Sequence, residues 1–148
     1  MGQLILPATG SVYVDTNSVI YRVERIEPYL TASKPLWDAL DGGKIEVVTS
    51  DLSLLEVLVK PLRDGNVTLV NLYRTVVLGT AGLTAHPVTR SILEEAARIR
   101  AQYGLKSPDA IHAATSLAAG AARFITNDAG FRRVPGLPVE LLSTVVAS

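Results

Sequence analysis

Cysteine is absent from this sequence, which excludes disulfides, thiolate metal sites and cysteine nucleophiles. Histidine is nearly absent: with two in the chain, a histidine-rich metal cluster cannot form. Net charge is absent too, because 14 Lys and Arg balance 14 Asp and Glu. A chain without a basic excess must bind nucleic acid through a local patch, since the distribution of charge, not its sum, makes the field. No apolar run approaches the roughly 18 residues of a membrane span. The opening Met1-Gly2-Gln3-Leu4-Ile5-Leu6-Pro7 lacks the charged leader and long apolar stretch of a signal peptide. The expectation is therefore a cytoplasmic protein that does not use a membrane. Phosphate-loop, dinucleotide-turn and serine-elbow motifs are missing as well, so nucleoside triphosphatase, dehydrogenase and serine hydrolase chemistry have no support.

What remains is a chain of 148 residues, 48% hydrophobic and 19% charged, long enough for one soluble domain with a sizeable core and too apolar for disorder. Residues 1–10 read as a loose leader ending in Gly10. Val12-Tyr13-Val14 predicts a buried strand that stops at Asp15. Thr16 or Asn17 is placed to cap a helix from Ser18 to about Arg25. Pro35 to Leu40 predicts a helix with proline in its first turn, ended by Gly42 and Gly43. Ile45 to Thr49 reads as a second strand, and Ser50 caps a helix from Asp51 to about Lys60, stopped near Pro61. Asn66 starts another helix to about Leu78, a weaker strand follows at Leu83 to Ala85, and Thr89 caps a long helix closed by Tyr103 and Gly104. Ser107 as N-cap and Pro108 as first helical residue open a helix that ends at Gly120. Phe124 to Thr126 and Val139 to Leu142 complete the strands. Strands that alternate with helices and read as continuous apolar runs predict an α/β domain, with a mainly parallel sheet covered on both faces. No repeat or linker interrupts the pattern, so residues 1–148 are expected to form a single domain.

Ligands of open parallel sheets bind beyond the carboxyl ends of the strands. Asp15 ends the first strand and Asp128 follows the fourth by two residues. Both face one crevice if those strands are neighbours. Taken alone, Asp15 is equally a helix cap, Asp128 an Asx-turn residue, and Asp109 a carboxylate favoured by a helix N-terminus. Glu56 lies among Leu52, Leu54, Leu55, Val57, Leu58 and Val59. That reads as a helix apolar nearly all round, hence buried, where a carboxylate is costly unless paired, protonated or metal-bound. Its alternative is a glutamate reaching the surface on a half-exposed turn. Carboxylates converging at one crevice repel one another, and a divalent cation reverses that cost. All-oxygen ligation suits Mg²⁺ or Mn²⁺, which polarise a phosphoryl oxygen and activate water.

Val12 to Asn17, Glu56, then Ser107-Pro108-Asp109-Ala110-Ile111-His112-Ala113-Ala114, then Ile125-Thr126-Asn127-Asp128 together resemble the acidic framework of PIN-domain nucleases. In length and spacing the chain is similar to the toxin ribonucleases of bacterial and archaeal VapBC toxin–antitoxin pairs. The similarity runs over about residues 12–142. The resemblance implies a three-layer α/β/α fold with about five strands and a Mg²⁺- or Mn²⁺-dependent endoribonuclease. It implies Asp15 and Asp109 as main metal ligands, with Glu56 and Asp128 completing the acidic pocket. Thr16, Asn17, Thr126 and Asn127 would orient the carboxylates or a bound water. His112, three residues after Asp109, is either a further donor to the pocket or a histidine satisfied at the helix–sheet boundary. A homodimer, and an antitoxin whose tail reaches the acidic pocket, are implied in the same way.

RNA cleavage also needs cations beside the acids. The candidates are Arg22 and Arg25, Lys60 and Arg63, Lys106, and the Arg132-Arg133 pair close after Asp128. Tyr21 or Phe131 is available to stack on a base unless it belongs to the core. Leu72, Val76 and Val77 could form an oligomer face or a groove for a partner helix. The competing readings are a solitary PIN nuclease of RNA processing, a non-catalytic scaffold, and a haloacid-dehalogenase-type phosphatase. The last needs a second aspartate two residues beyond the nucleophile, where this chain has Asn17.

Overall fold

Residues 2–147 are described by the computed structural model. Strand β1 (Ser11–Val14) leads into helices α1 (Thr16–Val23) and α2 (Tyr29–Asp41). Then come β2 (Glu46–Ser50), α3 (Asp51–Arg63), α4 (Val67–Gly79), β3 (Leu83–His86), α5 (Arg90–Tyr103), α6 (Ser107–Ala119) and β4 (Arg123–Thr126). A short 3-10 helix (Ala129–Arg133), β5 (Val139–Leu141) and α7 (Leu142–Ala147) end the chain. The strands form one sheet in the order β3-β2-β1-β4-β5, and every pairing is parallel.

Alternation along β1 explains the layers. Val12 and Val14 point into a core shared with Val19 of α1, Leu36 and Trp37 of α2, Val57 of α3, Tyr73 of α4 and Leu142 of α7. Tyr13 points the other way, into a core with Ile99 of α5, Ala113 of α6, Phe124 of β4 and Phe131. Helices thus cover both faces, which is why the strands read as unbroken apolar runs. The chain leaves β1 toward β2 and later returns to β4 on the other side of β1, so the carboxyl ends of β1 and β4 border a topological switch point. Register pairs Val14 with Ile125, which sets Asp15 beside Thr126.

Several boundaries differ from the sequence expectation. Helix α1 begins at Thr16, with Asp15 as its N-cap, because Asp15 itself accepts from the Ser18 amide. Helix α2 begins at Tyr29, well before Pro35, and α3 runs through Pro61 to Arg63. Each proline forfeits one backbone bond inside its helix. Burial of Ala32, Leu36 and Trp37 on α2, and of Val57 and Pro61 itself on α3, outweighs that loss. Glu27 adds to the α2 start by accepting from the Thr31 amide and hydroxyl. Lys106, not Ser107, is the N-cap of α6, which shifts the helix start by one residue. The glycines behave as read: Gly104 and Gly120 take left-handed conformations (φ 73° and 66°) that end α5 and α6 without a Cβ penalty. The leader is not loose over residues 2–10, since Leu4 is buried in the first core and Gly2 N donates to Val145 O. Helix α3 is not apolar all round in its packing: Leu55, Val59 and Leu62 are exposed, and Ser53, Val57 and Pro61 are the buried face. Val77 is core rather than groove, whereas Leu72 is exposed. Among the described residues, no helix is long and apolar enough to cross a membrane.

Leu36 has no solvent exposure at the centre of the first core. Leu36→Ala is expected to cost about 2–5 kcal/mol, read as a lower urea midpoint at unchanged slope; an unchanged midpoint would contradict this packing.

Candidate active site

The carboxyl ends of β1 and β4 hold Asp15 and Thr126 side by side, and side-chain chemistry ties them together. Thr126 Oγ1 donates to Asp15 Oδ2 at 2.5 Å, across 111 residues of sequence. Asp15 Oδ1 accepts from the Ser18 amide (3.2 Å) and the Ser18 hydroxyl (3.0 Å). The same Thr126 oxygen accepts from the Asp128 amide at 3.1 Å, which fixes the loop after β4. Burial pushes the Asp15 carboxyl above its usual range; the bonds from Thr126 and Ser18 and the nearby His112 only partly oppose this.

Glu56 reaches the same end of the sheet from α3. Its Oε1 accepts from Thr16 Oγ1 at 2.7 Å and lies 2.8 Å from His112 Nε2. Burial alone would raise this carboxyl, but the hydrogen bonds from His112 and Thr16 oppose it and hold the group below its usual range. His112 is buried on α6, with Nδ1 2.6 Å from the Tyr13 hydroxyl and Nε2 3.2 Å from Thr16 Oγ1. Ser53 Oγ bridges Thr16 Oγ1 (3.1 Å) and Thr49 Oγ1 (2.8 Å), and Thr49 donates to the Val14 carbonyl. The hydroxyls thereby link β1, β2 and α3 beneath the carboxylates.

Asp109 sits in the first turn of α6, on the same helix face as His112. It accepts no hydrogen bond among the described residues. Burial raises its carboxyl first, then repulsion from Asp128; Glu56 and Asp15 add to the rise and His112 opposes it. A cavity of about 200 Å³ is lined by Asp15, Thr16, Asn17, Ile20, Glu56, Asp109 and His112, with no Lys or Arg in its wall. Asp128 is exposed beside it and uses Oδ1 to accept from the Gly130 amide. Among the described residues no three Asp, Glu or His side chains are drawn close enough to hold an ion as they stand. The carboxylates nevertheless fit a hard divalent cation: their donors are all oxygen, their negative charge is only partly offset by His112, and Asp109 accepts no hydrogen bond among the described residues.

Other sequence candidates lie elsewhere. Arg22 is held by Asp41 at 3.1 and 3.2 Å, and its guanidinium lies 4.7 Å from the Trp37 ring centroid, so it serves α1–α2 packing. Asn127 Oδ1 accepts from the Ser143 amide, which assigns it to the start of α7 instead of to Asp128. Phe131 is buried against Phe124, out of reach of a base, and Tyr21 stacks on Tyr29. Lys60 pairs with Asp64. Arg132 is exposed, and Arg133 donates to the Gly130 carbonyl on the Asp128 side of the cavity. The residues missed in sequence are Tyr13, Ser18, Thr49 and Ser53. The Thr49–Ser53 spacing was the available signal: two hydroxyls four residues apart flank a helix start beside a strand end.

A family model described as PIN domain matches residues 12–137. In structure the chain is similar to VapBC2 from Rickettsia felis, solved bound to a DNA fragment from their promoter (TM-score 0.67, 15% identity, 88% of this chain and 98% of that chain covered). It is also similar to a toxin–antitoxin complex from Klebsiella pneumoniae (TM-score 0.62, 20% identity, 88% and 97% covered). A third similar structure is VapBC-5 from Mycobacterium tuberculosis (TM-score 0.56, 22% identity, 91% and 98% covered). No curated protein sequence matches the chain significantly.

Asp109 carries a raised folded-state pKa, so its ionised form costs stability above that pKa and the cost fades as pH falls through it toward the unfolded value of about 3.9. In chelator near neutral pH, Asp109→Asn is therefore expected to raise the thermal midpoint by about 1–3 °C, a small effect because the group is half in water. The gain should vanish in acid below the ordinary aspartate range. A lower midpoint at neutral pH would refute the repulsion.

Proposed function

We propose, from the premise that the chain belongs to the PIN domain family, that it is a Mg²⁺- or Mn²⁺-dependent endoribonuclease, the toxin of a toxin–antitoxin pair. The observation that carries this reading is the cavity wall, where Asp15, Glu56 and Asp109 converge with no cation opposite them. A scaffold gains nothing from such repulsion, whereas a phosphodiester nuclease uses it to hold metal.

In this reading Asp15 and Asp109 hold the ion, with Glu56 and Asp128 completing the pocket. A bound divalent ion would polarise a phosphoryl oxygen and lower the pKa of its water. The protein's own part is positioning. Thr126 and Ser18 fix both oxygens of Asp15. Thr16 and His112 engage Oε1 of Glu56, whose Oε2 accepts no hydrogen bond among the described residues and would be available to a water or the ion. Arg132 and Arg133, shortly after Asp128 in the chain, would meet the RNA backbone and offset the zero net charge locally. Neighbours described as VapBC and toxin–antitoxin complexes support an antitoxin partner. An arginine from that partner entering the carboxylate pocket would silence it. A cytoplasmic homodimer formed by a single domain over residues 1–148 completes the proposal.

Purified protein should cleave RNA with Mg²⁺ or Mn²⁺ and stop in EDTA. Asp15→Asn and Asp109→Asn should each lower the rate by at least about 10²-fold while staying folded. Cleavage that persists in EDTA contradicts the mechanism, and a folded wild type that binds no Mn²⁺ and cuts no RNA favours the scaffold.

A further inference from the structure

Beneath the carboxylates lies a buried phenol that the reading above does not use. Tyr13 has no solvent exposure, stacks on Phe124 with ring centroids 5.0 Å apart, and brings its hydroxyl to 2.6 Å from His112 Nδ1. We propose that Tyr13 is a positioning residue: its hydroxyl holds the His112 ring so that Nε2–H donates to Glu56 Oε1 and leaves Oε2 available to a water or the ion. This rests on the nuclease reading for its purpose, though not for its geometry.

The hydrogens can be counted. Two hydroxyls flank the Tyr13 phenol, and both spend their hydrogens elsewhere: Thr49 on the Val14 carbonyl and Thr115 on the Ile111 carbonyl. Thr16 spends its hydrogen on Glu56 Oε1. An unprotonated Nε2 would therefore face the oxygens of Glu56 and Thr16, 2.8 and 3.2 Å away, with no donor between them. Nε2 must carry the proton. In the neutral ring Nδ1 is then a buried acceptor, and Tyr13 is the donor within reach. Phenylalanine at position 13 would keep the stack and strand the Nδ1 lone pair, and the ring would lose its second anchor. Partners of this kind, one bond behind a ligating group, typically change metal affinity or activity by about 10–100-fold when removed.

The test compares wild type with Tyr13→Phe, using Phe124→Leu as a control that disturbs the same stack but keeps the hydroxyl. The ¹⁵N resonances of His112 in metal-free protein, assigned with a His86→Gln variant, are read alongside Mn²⁺ affinity and kcat for RNA. Wild type should show protonated Nε2 and a hydrogen-bonded Nδ1. In Tyr13→Phe the Nδ1 resonance should move to that of a free acceptor, with Mn²⁺ affinity or kcat down about 10-fold or more and KM for RNA little changed. Phe124→Leu should lower stability and leave the resonances in place. A Tyr13→Phe protein that folds with unchanged His112 resonances, or with resonances moved but affinity and kcat within twofold of wild type, overturns the assignment. If wild type binds no Mn²⁺, the nuclease reading fails by itself; an unmoved Nδ1 resonance then sinks the Tyr13 contact too, and a moved one upholds it.

Discussion

Burying the carboxylate of Asp15 at the end of β1 costs free energy, and the surrounding structure is arranged around that cost. Three donors from Ser18 and Thr126 engage its two oxygens, and in doing so they join β1, α1 and β4. Placement by hydrogen bonds is not neutralisation, however. The group remains above its usual pKa, so the fold tolerates a charge that its own donors do not fully satisfy. Asp109 repeats the pattern from α6 with no donor among the described residues, and the two face one cavity. Under the proposed function, that free energy would be recovered when a cation enters, since binding to the folded state stabilises it by mass action.

Glu56 contrasts with these two. It is held below its usual range because His112 and Thr16 donate to it. One pocket therefore contains a carboxylate held low by fixed donors beside Asp15, raised by burial, and Asp109, raised by burial and by repulsion from its acidic neighbours. Environments that pull like groups apart in this way cluster at functional sites, and the proposed nuclease would use them to divide roles among its acids. The hydroxyl chain through Thr16, Ser53 and Thr49 and the Tyr13–His112 contact make the two helical layers meet at this point, where α3 comes from one core and α6 from the other.

The parallel sheet was legible because covered strands leave unbroken apolar runs, as in Val12 to Val14 and Phe124 to Thr126. Asp15, Asp109 and Asp128 were legible as candidates because they end or closely follow a strand or open a helix, and Glu56 because it interrupts an apolar helix run, all features of local sequence. The adjacency of β1 and β4 was not, since a pairing across more than a hundred residues leaves no local trace. Pro35 and Pro61 misled for a related reason: a helix start was inferred at one and a helix stop at the other from the missing N–H, while burial by residues distant in sequence decided the outcome. Tyr13 read as strand filler, because its partner lies 99 residues away and only packing brings them together. Arg22 and Asn127 looked like site residues by proximity in sequence, but their side chains turn to Asp41 and to the start of α7.

The central claim is that Asp15, Glu56 and Asp109 gather their charge around a hard cation. A crystal grown with Mn²⁺ and measured at its absorption edge tests this most directly. The account predicts an anomalous peak within roughly 2.0–2.6 Å of carboxylate oxygens of Asp15 and Asp109, lost in Asp15→Asn. A cavity without such a peak at saturating Mn²⁺, with the carboxylates left as they are in the free protein, would contradict it.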